Sequence, residues 1–324
     1  MATIVDTGYP NLANLMARMS PTGEYRPMAE VLNKSLDLIE DIPWQECNLD
    51  LGHQIAYRTG LPSPQWRRLN DGVINTKTDG AQFVESTGML EDRAEVDVDQ
   101  PGNMAQLRRQ EEAGKIEMMT QEFARALFYE SKANYADRIH GLSARYAATA
   151  GYTCSPYVTV GTNAGVNAQS IWLISWKIGK VYGIYPKGSQ VGLVRKDLGE
   201  VDCTGATKGK FRGLASKLQW KVGVAVEDYR FTARHQWDPD DAAYADTGKG
   251  LYLAMLAMLG KVFKLDENAR FYMSRTSFAK LQAQLVNNTA NYLEYVAMGG
   301  RRVASFNGVP IRQTDALVAE TAIV

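Results

Sequence analysis

A stretch of thirty residues, 102–131, constrains the fold of this chain more than any other part of the sequence. Met104, Leu107, Phe123 and Leu127 lie on one side of a helical projection, and charged residues fill the other side. At 1.5 Å per residue such a helix is about 45 Å long, well beyond the usual length of about 10–14 residues. Because only one face is apolar, we expect this helix to lie across a single core as the backbone of the fold.

The residues before this helix form two segments that cannot bury themselves. Residues 1–50 carry eight acidic and three basic side chains and predict an arm with two short helices, 11–19 and 28–41, the second ended by Pro43. Residues 51–100 predict a long two-stranded hairpin, with a turn signal at Asn70-Asp71-Gly72 and strict apolar alternation at its end. An isolated hairpin is marginal in water, so we expect it to pack on something else, and a partner chain is one candidate.

The second half of the chain alternates between strands and helices, which makes the fold class α+β. A long β segment, 218–237, precedes the last helix, and Asn307-Gly308 predicts a closing hairpin. From Asn287 to that hairpin we expect a loop. The remaining predicted elements are strands at Ile171–Trp176, Val181–Tyr185, Phe271–Met273, Val303–Phe306 and Val309–Arg312, and helices at 241–262 and 277–286.

Composition excludes several classes of protein. The 36 basic and 36 acidic residues sum to zero net charge, which argues against a basic nucleic-acid clamp or a polybasic membrane anchor. Cys47, Cys154 and Cys203 lie too far apart in the sequence for a zinc site or a disulfide framework. We expect the protein to reside in a reducing compartment, with all three cysteines as small side chains of the core. There is no signal-peptide pattern, and the longest apolar run, Leu251–Leu259, is far shorter than the roughly 20 residues that cross a bilayer. We therefore expect a soluble protein that stays inside the cell that makes it.

The search for catalytic, cofactor and metal sites yields no candidate. His53, His140 and His235 have no partner at the spacing of a catalytic triad, and no glycine-rich stretch fits a phosphate-binding loop. The acidic group Asp238, Asp240, Asp241 and Asp246 is better explained as capping the helix 241–262 than as a cation site. The aromatic group Trp172, Trp176, Tyr182, Tyr185 and Trp220 alternates with aliphatic residues and favours a sheet core over base stacking.

Charge is divided into separate sectors of the chain. Residues 171–221 carry ten bases and three acids, whereas residues 84–99 carry six acids and one base. Such sectors would let the acidic arm or hairpin of one subunit meet the basic sheet of another.

Five short stretches, in this order and spacing, resemble a known family. They are Asp41–Glu46 (DIPWQE), Arg58–Pro62 (RTGLP), Trp66–Asn70 (WRRLN), Ile184–Ser189 (IYPKGS) and Asp197–Glu200 (DLGE). Together they resemble the major capsid proteins of short-tailed bacteriophages of the epsilon-fifteen type. The resemblance implies the tailed-phage capsid fold, called the Johnson fold, with an N-terminal arm, an E-loop hairpin, a P domain with a long spine helix, and an A domain.

The resemblance also implies a division of the chain into domains. Residues 1–50 would be the arm, 51–100 the E-loop hairpin, and 101–150 the spine helix with its following segment. Residues 151–300 would be mainly A domain with P-domain strands, and 301–324 a C-terminal strand returning to the core. The arm starts near Met1, so we expect no fused scaffolding leader, and the β segment 218–237 suggests that the order of elements is rearranged.

The function implied is structural. We expect self-assembly through hexamers and pentamers into an icosahedral shell around double-stranded DNA, in a virion assembled in the bacterial cytoplasm, with no catalytic residue, cofactor or membrane contact. A decoration protein, a portal, a scaffolding protein and non-specifically packaged DNA are further candidate partners. The inter-subunit contact residues we predict are Arg58, Trp66, Arg67, Arg68, Lys77, Glu91 and Asp92.

Two alternatives stay open. One is a cellular compartment shell of the same fold that holds an enzyme cargo. The other is a soluble α+β enzyme that uses His53 or His235.

Overall fold

A computed structural model describes residues 38–50, 52–99, 103–147, 153–161, 167–204, 209–245, 248–287, 293–298 and 301–320. The predicted arm helix 11–19 lies outside these residues, and only the last turn of the predicted helix 28–41 lies within them. The α-helices of the described residues are α1 (Leu38–Asp41), α2 (Met104–Tyr129), α3 (Leu142–Arg145), α4 (Gly250–Lys261) and α5 (Arg275–Asn287). Short 3₁₀ turns lie at Ser155–Tyr157, Tyr229–Phe231 and Ala242–Tyr244.

The strands of the described residues form three sheets. In chain order they are β1 (Trp44–Glu46), β2 (Gly52–Gly60), β3 (Asp79–Ser86), β4 (Gly88–Asp97), β5 (Val158–Val160), β6 (Gln169–Ser175), β7 (Val181–Tyr185), β8 (Leu193–Thr204), β9 (Lys210–Val226), β10 (Thr232–Trp237), β11 (Ala269–Met273), β12 (Leu293–Met298), β13 (Arg301–Phe306) and β14 (Val309–Gln313). The first sheet has seven strands in the order β12-β13-β14-β11-β6-β10-β5. The second runs β1-β7-β9-β4 with β8 also paired to β9, and the third is the two-stranded hairpin β2-β3.

The helix α2, which we call the spine helix, agrees with the long amphipathic stretch of the sequence. Asn103 caps it by accepting a hydrogen bond from the backbone N–H of Gln106, and it ends at Tyr129. Its apolar face buries Met119, Phe123 and Leu127. Because that face is a single stripe, the helix packs on one core and leaves its charged side to solvent and to ion pairs.

The core lies on both faces of the seven-stranded sheet, because side chains alternate along its central strand β6. Trp172 and Ile174 point to the cluster that contains the spine helix. Ile171 and Leu173 point to the cluster that contains the helices α4 and α5. A strand covered on both faces must be apolar at consecutive positions, which explains the run Ile171–Ile174.

The closing hairpin matches its sequence signal. Asn307 and Gly308 both have positive φ, 48° and 78°. They join β13 to β14 in register, with Phe306 opposite Val309. Strand β14 then lies parallel to β11 inside the seven-stranded sheet, so this strand of the closing hairpin returns to the core.

Several local predictions were wrong, and each has a physical reason. The helix predicted over 241–262 begins at Gly250, and Asp241 instead accepts a hydrogen bond from Ala243 N at 2.9 Å to cap a 3₁₀ turn. The carboxylate of Asp238 likewise accepts from the N–H of Asp240 at 2.9 Å, so neither aspartate caps the helix. Strand β12 occupies part of the predicted loop after Asn287, because it pairs antiparallel with β13. Strand β9 begins at Lys210, eight residues before the predicted strand at Leu218, because its first residues pair with β8.

Candidate assembly interface

The hairpin β2-β3 is anchored at one end and free at the other. The strands pair from Gly52 opposite Ser86 at the base to Gly60 opposite Asp79 at the outer end. At the base, Ile55 is buried with the cluster of Cys47 and Tyr182. From Ala56 outward, the residues of β2 are exposed except at Gly60, which is partly buried.

A buried ion pair fastens the base of this hairpin to the body of the subunit. The carboxylate of Glu85, 5% exposed, receives both terminal nitrogens of Arg145, one of them at 2.7 Å. The same guanidinium donates to the backbone oxygen of His140 at 2.9 Å. Two parallel N–H···O bonds fix the orientation of the carboxylate as well as its distance, so the hairpin leaves the body in one direction.

Beyond the paired strands, residues 61–78 form a loop, which we call the hairpin loop, and every one of its residues is exposed. Leu61, Trp66, Leu69 and Ile74 each expose more than two thirds of their side chains. Within the loop, Arg67 Nε donates to the backbone oxygen of Asp71 at 2.9 Å, and Asp71 N donates to Arg68 O at 3.2 Å. Four large apolar side chains exposed on one loop give the hairpin loop the character of an interaction surface.

The structure brings five of the seven predicted contact residues together. Arg58 lies at the outer end of β2, and Trp66, Arg67, Arg68 and Lys77 lie in the hairpin loop. Lys77 is 3.7 Å from Asp79 in an exposed ion pair.

Glu91 and Asp92 lie elsewhere, in strand β4 beside the spine helix. The carboxylate of Glu91 is 2.7 Å from Lys217 Nζ, and that of Asp92 is 3.0 Å from Lys115 Nζ. The hydrogen bond from Lys217 lowers the pKa of Glu91. Both carboxylates therefore have cationic partners in their own chain, and their role between subunits stays a prediction.

The charge sectors meet within one subunit. The acidic strand β4 pairs antiparallel with the basic strand β9, from Gly88 opposite Val222 to Asp97 opposite Gly213. The sequence suggested that the acidic block 84–99 would meet the basic sheet of another subunit, but the described structure places it beside the basic strand of its own chain. Part of the acidic charge is thus neutralised inside the fold.

A second charge network, which the sequence did not predict, ties the spine helix to this sheet. Glu112 is buried on the helix and receives Arg195 in two bonds of 2.8 and 2.9 Å. Arg108 lies 3.2 Å from Glu112 and 2.6 Å from Asp197, and its hydrogen bond lowers the pKa of Asp197 to about 2. The spacing of Arg108 and Glu112, one helical turn apart, was the one signal in the sequence, whereas Arg195 is 83 residues away from Glu112.

Glu320, the last described residue, is held by a buried arginine. Arg234, 2% exposed, forms an ion pair with the carboxylate of Glu320 and donates to Tyr146 O at 2.9 Å. The same carboxylate accepts from Tyr129 at 2.9 Å and from Gln236 at 3.1 Å. These bonds join the spine helix, strand β10 and the segment that ends at Glu320. Burial and the neighbouring carboxylate of Glu320 raise the pKa of Tyr129.

His235, one of the two histidines that a catalytic function would use, lies in strand β10 of the seven-stranded sheet. His235 Nδ1 is 2.8 Å from Thr159 Oγ1 and Nε2 is 3.1 Å from Tyr244 Oη, so both ring nitrogens are engaged inside the sheet. Burial and the charge of Lys261 lower the pKa of His235 to about 4. Among the described residues, no group of three or more His, Cys, Asp or Glu side chains could hold a metal ion, and none of the helices is long and apolar enough to cross a membrane.

Cys47 and Cys203 are buried, and burial raises the pKa of each thiol to about 11. Cys154 is partly buried, and none of the three forms a disulfide. Of the predicted aromatic core, Trp172, Trp176, Tyr182 and Trp220 are buried, and Tyr185 is partly buried.

Comparison with solved structures identifies the class of protein that this hairpin, spine helix and pair of sheets define. A chain of the cryo-EM structure of bacteriophage Epsilon15 is 26% identical, with a TM-score of 0.76 over 100% of this chain and 99% of that chain. The capsid of bacteriophage JBD30 shares the fold at 10% identity, with a TM-score of 0.52 over 92% of this chain and 99% of that chain. The fold is that of a tailed-phage capsid protein.

The family follows from the sequence. The model of the family "Major capsid protein GP7" matches residues 20–324, and this chain belongs to that family. A search of the curated proteins finds no match. The resemblance to major capsid proteins of the epsilon-fifteen type is confirmed, and so is the α+β Johnson fold. The protein is a structural protein of a phage virion.

Proposed function

We propose that this major capsid protein assembles through its hairpin loop, 61–78, into an icosahedral shell that encloses double-stranded phage DNA. The observation that carries the proposal is a continuous exposed loop with large apolar side chains, held out from the body by a buried ion pair at its base. The outer hairpin residues Arg58, Trp66, Arg67, Arg68 and Lys77 would contact a neighbouring subunit. The arm 1–50 would add contacts of its own. Glu91 and Asp92 would contact a neighbouring subunit from strand β4, at the edge of the second sheet.

The remaining roles follow from a shell of this kind. Hexamers and pentamers would form in the bacterial cytoplasm with the help of a scaffolding protein and a portal, and a decoration protein would bind outside. Residues 1–50 would be the arm, 51–100 the E-loop hairpin, and 101–150 the P-domain spine helix with its following segment. Residues 151–300 would be mainly A domain with P-domain strands, and 301–324 the returning C-terminal strand. The chain would act without catalysis, and its contact with DNA would be weak and non-specific, through backbone phosphates.

The test replaces residues 61–78 with a short glycine-rich turn. We expect a subunit that unfolds at an unchanged denaturant concentration, because the loop contributes no buried side chain, but that forms no shells. Size-exclusion chromatography and negative-stain electron microscopy measure assembly. The matched control carries the same eighteen residues in shuffled order, which keeps the length and apolar content and removes the specific contacts.

Normal shells from the replacement would refute the proposal. Shells of the unaltered protein that hold a protein cargo in place of DNA would support the alternative of a cellular compartment shell. DNA content is measured by nuclease-protected absorbance of purified particles.

A further inference from the structure

A small apolar cavity lies at the base of the hairpin, between strand β4 and the spine helix. Its volume is about 150 Å³, and the apolar side chains around it include Leu90, Phe123, Ala126, Ile139 and Val222. We call it the helix pocket. A cavity of roughly 150 Å³ with apolar walls is large enough to take up one aromatic ring the size of benzene.

The chain also carries an aromatic side chain without a packing partner. Trp66 in the hairpin loop is fully exposed, whereas Trp172, Trp176, Trp220 and Trp237 are at most 7% exposed and Trp44 is partly buried. A tryptophan offers a large apolar area and is enriched among the residues that dominate binding energy at protein interfaces. An indole left in water is therefore the strongest single candidate for an interface anchor in this loop.

Charges around the two features are complementary. Arg67 and Arg68 follow Trp66 directly, and both are exposed. Glu122 and Asp137 line the helix pocket. Glu122 lies 4.0 Å from the guanidinium of Arg125, a largely exposed side chain, so this long contact leaves most of its charge at the rim. Arg138 lines it too, but its guanidinium lies 2.6 Å from Glu130 and is neutralised there. A ring inserted into the pocket would bring two cations to a rim that carries two carboxylates.

The two features lie at opposite ends of the hairpin. Gly88 of the pocket is two residues beyond Ser86, which pairs with Gly52 at the base, while Trp66 lies beyond Gly60 at the outer end. Eight residues of strand separate Gly52 from Gly60, which is about 26 Å at the rise of a β-strand. Every residue of the hairpin loop is exposed, so the loop does not fold back onto the body. The Trp66 of a subunit cannot fill the pocket of the same subunit.

We propose that Trp66 of one copy of this chain inserts its ring into the helix pocket of a second copy, with Arg67 and Arg68 facing Glu122 and Asp137. This inference rests on the proposed function and names the site that receives the hairpin loop. The ring and the pocket are different surfaces, so the contact is head-to-tail, and each copy can bind one neighbour at each end of its hairpin. A head-to-tail contact closes into rings when the rotation between copies permits it.

The test mixes two variants that each lack one half of the contact. Trp66→Ala removes the ring, and Ala126→Met places a longer, flexible side chain into the pocket. Neither variant alone contains a matching pair. The mixture contains one, between Trp66 of the Ala126→Met chain and the open pocket of the Trp66→Ala chain. This pair has no second matching end, so the contact stops at a dimer.

Acrylamide quenching of tryptophan fluorescence measures how far Trp66 is exposed to solvent, because the other tryptophans are buried or partly buried and are quenched less. In Ala126→Met alone, we expect a strongly quenchable component from Trp66. Addition of excess Trp66→Ala chain should abolish that component, and sedimentation should show a dimer. A quenchable component that persists in the mixture would overturn the inference.

Two controls guard against general destabilisation. Ala113→Met makes the same change at an exposed position of the spine helix, and this chain should still assemble. Leu69→Ala removes another exposed apolar side chain of the loop and should leave the pocket contact in place. If Ala126→Met fails to fold, the double variant Glu122→Lys with Asp137→Lys takes its place, because both changes lie at the rim.

Charge reversal supplies the second arm of the test. The variant Arg67→Glu with Arg68→Glu should fail to assemble with itself, and mixing it with the double-lysine variant should restore the protected Trp66. If Trp66 stays quenchable in this mixture, Arg67 and Arg68 do not face Glu122 and Asp137, and that part of the inference is overturned. If the loop replacement abolishes shells but the mixtures leave Trp66 quenchable, the pocket inference fails and the proposed function stands. Normal shells from the loop replacement would sink both.

Discussion

The hairpin loop and the core around the seven-stranded sheet are both rich in large apolar side chains, but they use them in opposite ways. In the core, Trp172 packs against Phe128 and Tyr146 with ring centroids 5.8 Å away. In the loop, Trp66 is fully exposed. The apolar residues of the core stabilise the subunit, whereas those of the loop are exposed in the single subunit. Under the proposed assembly, folding and shell formation depend on separate residues, and each can be altered without the other.

Truncation of the two tryptophans tests this separation with the largest expected effect. Trp172→Ala should lower the free energy of unfolding by about 3–5 kcal/mol, because it leaves a cavity in the core. Trp66→Ala should change it by no more than about 0.5 kcal/mol, because no described side chain packs on the ring. Urea unfolding of dilute, unassembled subunits, followed by far-UV circular dichroism, measures both. Equal losses of stability would show that the loop is part of the folded core.

An ion pair of each region gives the next comparison. Glu320→Gln leaves the buried guanidinium of Arg234 without its counter-charge and should cost about 3 kcal/mol. Lys77→Gln breaks the exposed pair with Asp79 and should leave the urea midpoint unchanged, because water screens both charges. The same unfolding assay compares the two variants. A midpoint for Glu320→Gln that matches the wild type would mean that the C-terminal segment is not held by Arg234.

The pH dependence of stability should come from the core and not from the loop. The pKa of His235 is about 4 in the folded subunit, below the value of about 6.5 of an unfolded histidine. As the pH falls, the unfolded chain thus binds this proton before the folded subunit does. The contribution of His235 to stability is therefore present above pH 6.5 and is lost as the pH drops towards 4. Between pH 7 and pH 5 the loss from His235 should be about 2 kcal/mol.

Unfolding curves at several pH values measure this slope. The subunit with residues 61–78 replaced should keep the slope, and His235→Gln should reduce it. His53 and His140, whose pKa values are also lowered by burial, contribute in the same direction, so part of the slope should remain in His235→Gln. If the replacement of residues 61–78 removed the pH dependence of stability, the assignment of that dependence to the core would be wrong.

The elements that the sequence predicted well are those with one clear periodicity. The spine helix has an apolar stripe, and β6 has a continuous apolar run, so both were predicted to within a few residues. Strand β8 was missed, because its exposed residues carry charges on both faces and Gly199, with φ of 70°, interrupts its pairing. Its strand conformation comes from pairing with β9 and not from its own pattern.

The candidate interface was predictable only in part. The cluster of Trp66, Arg67 and Arg68 was identified from the sequence, but its exposure and its distance from Glu91 were not. Glu85 with Arg145, and Glu112 with Arg195, join residues 60 and 83 positions apart. Contacts at such separation depend on how the sheets are assembled, and one sequence carries no local signal for them. The pairing of β4 with β9 changed the interpretation of the charge sectors for the same reason.

Turn glycines give the smallest and most closely matched comparison between the two regions. Gly308 in the closing hairpin has a φ of 78°, a conformation that costs an L-residue roughly 1–2 kcal/mol, so Gly308→Ala should lower the free energy of unfolding by about 1 kcal/mol. Gly72 in the hairpin loop has no positive φ, and a Cβ there would meet no atom within 4 Å. Gly72→Ala should therefore leave stability unchanged in the urea assay. If Gly72→Ala lowered the free energy of unfolding as much as Gly308→Ala, the conformation of the hairpin loop would contribute to the stability of the isolated subunit, as the closing hairpin does.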